Sequence, residues 1–117
     1  MRFKYFLQEH IKESDISELK NIISGISEKN ASENEKVENG ILFQINDLGA
    51  WGRFKSKLVE TLLDDSWKDL SENALLVHLK NRKYHMWIKY ENSTANFFIT
   101  DKDLKEPEWK EEKTEEE

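Results

Sequence analysis

Between residues 74 and 100 the chain alternates apolar and polar side chains in three consecutive runs, the period-2 pattern of β-strands. Asn81-Arg82 and Asn92-Ser93 separate the runs and read as two-residue hairpin turns, because Asn tolerates positive φ. Pairing Lys80 with Lys83 then sets Val77 opposite Met86, Leu79 opposite Tyr84, Leu75 opposite Ile88, Leu76 opposite Trp87 and His78 opposite His85. Pairing Glu91 with Thr94 sets Ile88 opposite Phe97, Met86 opposite Ile99, Trp87 opposite Phe98 and His85 opposite Thr100. One face becomes an apolar wall for helices. The other carries Leu76/Trp87/Phe98 between basic and polar rows. A one-residue slip in either turn would scramble those rows.

Upstream, Ile41, Phe43 and Ile45 alternate in a fourth strand, 40–46. Ile16, Leu19, Ile22, Ile23 and Ile26 recur at helical spacing behind an Asp15–Glu18 capping box, which predicts a helix over 15–27. Phe54, Leu58, Val59, Leu62 and Leu63 predict a second over 53–65, with Trp67 and Leu70 adding a turn. Asp64-Asp65 oppose its dipole and mark its end. Gly49 and Gly52 flank Ala50-Trp51 and read as a tight turn into that helix. Alternation over 1–7 suggests a further strand. Residues 27–39 are polar, aperiodic and read as a loop. The fold class is α+β: a small, mostly antiparallel sheet, the meander 74–100 plus strand 40–46, with two helices on one face. An open sheet and a curled half-barrel both satisfy the pattern. The element count matches small RNA-binding half-barrels of the PUA-like kind, but no motif ties the chain to a family.

Charge divides the chain. Its 117 residues carry a formal net charge of −6. Residues 106–117 hold seven Glu and two Lys, so residues 1–105 are nearly neutral. This gives one globular domain over 1–105 and an acidic tail over 106–117 that is disordered or loosely docked. Trp109 stands out in that tail as an anchor for this domain or a partner. No apolar run approaches ~20 residues, so no membrane span is expected. The absence of Cys removes disulfides, thiolate nucleophiles and Cys-ligated zinc, and fits a cytoplasmic protein. Lys outnumbers Arg 15 to 3, a bias of AT-rich bacterial or phage genomes.

The candidate chemistry lies in 78–90, which has four cations and no acid. Lys80, Arg82, Lys83, His85, Trp87, Lys89 and Phe98 are the residue types of a single-stranded RNA platform. Aromatics stack on bases at roughly 1–3 kcal/mol each, and cations neutralise phosphates. The competing structural role puts Leu76/Trp87/Phe98 under the first helix or the N-terminal segment. His78 and His85 need a third ligand to hold a metal, which only His10 or an acid could supply, so no metal and no cofactor is expected. Ser66 or Ser71 with a His and Asp64 or Asp65 make a triad by inventory alone, without the context of a nucleophile. The expected function is therefore non-catalytic binding or regulation, with single-stranded RNA as the sharper expectation. The alternative is a protein-interaction module (inhibitor, immunity or adaptor protein) using Trp109 and the tail or the second sheet face. An uncovered edge at 95–100 would permit a homodimer.

Overall fold

The computed structural model describes residues 11–73, 75–107 and 109. The strand expected over 1–7, His10, Ala74 and most of the acidic tail lie outside these. Two helices, α1 (Glu13–Ser27) and α2 (Trp51–Leu63), pack on one antiparallel sheet. Its strands are β1 (Glu35–Val37), β2 (Gly40–Ile45), β3 (Lys68–Asp69), β4 (Leu76–Lys80), β5 (His85–Glu91) and β6 (Thr94–Thr100), in the order β1-β2-β6-β5-β4-β3. This is a small α+β domain. No helix among the described residues is long and apolar enough to cross a membrane.

The apolar periodicities meet in one core. Ile16, Leu19 and Ile23 of α1 and Phe54, Leu58 and Leu62 of α2 bury against Ile41, Phe43, Ile45, Val77, Leu79, Met86, Ile88, Phe97 and Ile99 of the sheet. Phe43 and Phe97 stack at 5.0 Å. Trp51 stacks on Tyr90 at 4.7 Å, and the Tyr90 hydroxyl donates to the Leu48 carbonyl at 2.6 Å. These contacts tie the start of α2 to β5 at one end of the sheet.

Several local expectations change. Helix α1 begins at Glu13 after Lys12, and Asp15 is no cap: its carboxylate accepts from the Tyr84 hydroxyl at 2.5 Å. The 27–39 loop contains β1, which pairs with β2 through a Glu38-Asn39 turn. Backbone strain before α2 falls on Asp47 (φ 56°) and Ala50 (φ 46°), and no glycine has positive φ. Trp67 and Leu70 do not extend α2. The helix ends at Leu63, and a turn through Ser66 (φ 75°) leads into β3. Gly40 is required by close approach, since a Cβ there would strike the Ile99 carbonyl and come within 2.8 Å of the Phe98 ring.

The β5–β6 register is as expected, with Asn92 (φ 54°) and Ser93 (φ 60°) in a type I′ turn. The β4–β5 register is displaced by two residues. Val77 pairs with Ile88, His78 with Trp87, Leu79 with Met86 and Lys80 with His85. Asn81 closes the turn with its side chain: Oδ1 accepts from the Lys83 and Tyr84 N–H groups at 2.8 and 2.7 Å. The central residues are therefore Arg82-Lys83. A shift of two preserves the period-2 alternation, so the two faces keep their members from β4 and only the rows change. Leu75 moves off the apolar wall and is 58% exposed. Strand β6 is no edge: it pairs with β2 and β5, so a homodimer through an open 95–100 edge is ruled out. The edges are β1 and β3, three and two residues long, and such short edges blunt strand addition.

Candidate functional site

The face away from the helices is organised by cross-strand partners, which share a side of a sheet. Its middle row runs Leu70, His78, Trp87, Phe98, Leu42 from β3 to β2. Leu70 joins it because its N–H donates to the His78 carbonyl at 2.7 Å. On one side lies Lys68, Lys80, His85, Thr100. On the other lies Leu76, Lys89, Asn96, Gln44, where the Gln44 amide donates to Asn96 Oδ1 at 2.9 Å. An apolar and aromatic stripe is thus flanked by a cationic row and an amide row.

The stripe is covered by the chain itself. After Thr100 the backbone turns, with the Lys102 N–H donating to Thr100 Oγ1 at 3.0 Å. The segment then runs back along the face. Asp103 Oδ1 stands 3.8 Å from His85 Nε2. Leu104 and Trp109 pack on the cluster of Leu42, Trp87 and Phe98. Trp109 meets the Phe98 ring edge-on at 6.2 Å, and Lys89 Nζ lies 5.8 Å from the Trp109 centroid. Trp87 is 7% exposed and Phe98 0%. The aromatic row is therefore buried beneath the C-terminal segment, and neither α1 nor α2 covers it. The stacking platform expected of Trp87 and Phe98 is closed in this arrangement.

The cations do not form one patch. Lys80 and Lys89 sit in opposite flanking rows, and Lys89 also pairs with Glu91 at 3.3 Å. Arg82 and Lys83 belong to the turn and line a cavity of about 530 Å³ on the helix side, with Asp15, Leu19, Trp67 and Tyr84. Lys83 Nζ stands 3.8 Å from Asp15 there. A second cavity, about 680 Å³, opens beside Trp109 between Leu42, Gln44, Lys89 and Asn96.

His78 and His85 form a diagonal pair, Nε2 to Nδ1 at 2.8 Å, and His78 stacks on Trp87 at 3.7 Å and 9°. One ring donates and the other accepts, according to their tautomers, and Asp103 lies beyond Nε2 of His85. Both imidazoles titrate below the usual histidine range. Burial is the first cause for each. The neighbouring His85 adds to it for His78, where Asp103, Asp69 and Glu72 oppose. For His85, Asp103 opposes and Lys80 adds. Among the described residues, no three His, Asp or Glu side chains are grouped to hold a metal ion. Ser71 Oγ accepts the His78 N–H at 2.9 Å and so serves the backbone.

Sequence reasoning missed Leu42, Leu70, Asp103 and Leu104. Leu42 was visible as an apolar residue on the polar phase of β2. Leu104, with Trp109, was visible as apolar residues in an acidic stretch. No protein-family model, curated protein or solved structure matches this chain.

Proposed function

We propose that the chain is a non-catalytic binding protein whose partner is another protein, held on the sheet face away from the helices. One observation carries the reading: a peptide segment, residues 101–107 with Trp109, already lies along that face with two apolar anchors. The stripe beneath it continues past the segment to Leu70, which is 45% exposed. A stripe of this kind flanked by polar rows suits a protein ligand, with apolar burial at the centre and polar contacts at the rim. The single-stranded RNA reading has less support, because Trp87 and Phe98 offer no ring face to a base and Arg82 and Lys83 belong to the other side of the sheet.

The test is a photo-crosslinking residue at position 70, with position 60 on the exposed side of α2 as control, in cells that make the protein. Protease-sensitive adducts at 70 and none at 60 are expected. Nuclease-sensitive adducts at 70 would replace the protein reading with the RNA one. Equal labelling at both positions would remove the face as a binding site.

A further inference from the structure

We infer that residues 101–107 with Trp109 are a tethered stand-in for the partner, and that the partner presents an extended acidic segment with an aliphatic and an aromatic anchor. The inference rests on the reading of this face as a protein site and names its ligand. The stand-in displays the chemistry that the face accepts. It sets an acid, Asp103, at the row of Lys68, Lys80 and His85. It sets an aliphatic residue, Leu104, on Trp87 and Phe98, and an indole, Trp109, under Lys89. Its sequence continues with five more Glu and two Lys after Trp109. Each contact matches charge or apolar area on the sheet.

The fit is incomplete in three places, and this makes the stand-in displaceable. Trp87 Nε1 is buried and has no hydrogen-bond acceptor among the described residues. An orphaned buried donor carries its full desolvation cost, which a ligand bearing an acceptor there would remove. Asp103 is almost wholly exposed and stands at 3.8 Å from His85, an approach without a hydrogen bond. The cavity beside Trp109 and the exposed Leu70 leave both ends of the stripe open to a longer ligand. What the segment has in its favour is its tether. A short linker gives an effective concentration on the order of millimolar, so a free peptide of equal intrinsic affinity competes poorly.

The experiment uses the full chain, as wild type and as Leu104→Ala/Trp109→Ala, titrated with a fluorescein-labelled peptide of the sequence of residues 101–117. The double variant should bind about tenfold or more tighter than wild type, as the tethered competitor is lost. A peptide with Ala at both anchors should not bind, and Lys80→Glu or Lys89→Glu in the double variant should weaken binding of the intact peptide. The single variant Trp109→Ala, which keeps Leu104 in place, should show a smaller change in the same direction and guards against misfolding of the double. Equal binding by wild type and variants, or by intact and anchorless peptides, would overturn the inference. If position 70 still crosslinked to protein, the face would remain a protein site for a ligand of other chemistry. If that adduct were also absent, the protein reading would fall too.

Discussion

Tyr84 shows how one side chain fixes a turn to a helix far away in sequence. Its hydroxyl donates to Asp15 at 2.5 Å and accepts the Lys12 N–H at 3.2 Å. Burial, then the hydrogen bond to Asp15, pushes the phenol up to about 12. A phenol raised in the folded state stabilises the fold while it is neutral. That stability is lost as pH rises from ~10, where the unfolded chain ionises, through about 12. Tyr84→Phe should cost about 1–3 kcal/mol, because a carboxylate and an N–H lose a buried partner. Urea unfolding at neutral pH, read as a lower midpoint at constant slope, checks the loss. Alternation alone placed Tyr84 on the helix side of β5's hairpin, which is where it lies. Its hydroxyl partner was not legible, since Asp15 carries an equally good local signal for a helix cap. Local sequence cannot tell an acceptor for its own backbone from one for a side chain 69 positions away.

At the scale of elements, the two hairpins were unequally readable for a physical reason. Asn92-Ser93 meets the demand of a type I′ turn for positive φ at both central residues. Ser at φ 60° has a strain that Gly lacks, so Ser93→Gly should stabilise the protein by about 1 kcal/mol. A rise in the urea midpoint checks it, and the Leu48 N–H to Ser93 carbonyl bond of 2.8 Å survives the change because it is made by backbone. Asn81 offered the same positive-φ signal but uses its side chain instead, accepting two N–H groups and moving the turn centre to Arg82-Lys83. The faces of β4 were readable despite the displaced rows, since parity survives a shift of two. Strands β1 and β3 were not. They are short, mostly exposed and owe their conformation to pairing with neighbours, which leaves no periodicity to read.

For the whole molecule, the sheet has a core on each side, and this gives its stability a dependence on pH. His78 and His85 lie beneath the C-terminal segment with their protonation opposed by burial. A histidine lowered in the folded state stabilises the fold when neutral. The unfolded chain takes up protons first as pH falls through ~6.5, so stability declines there and levels off once the folded imidazoles titrate. The melting temperature should drop between pH 7.5 and pH 5 (roughly the span around 6.5). His78→Gln/His85→Gln should flatten that slope, and a wild-type curve that is already flat would refute the assignment. The apolar content of both faces was legible in the meander. The cover of the second face was not, because Leu104 and Trp109 lie in a stretch without periodicity, where only the fold reveals what they touch. The place of β6 has a consequence for how the protein is made. The last strand among the described residues is the one that joins β1-β2 to β5-β4-β3. During synthesis, β2 therefore waits with one edge unpaired until residues some fifty positions later have emerged (Ile45 meets Ala95, for example). The sheet closes only once β6 has emerged, and a ribosome stalled before it would carry two half-sheets without the strand that joins them.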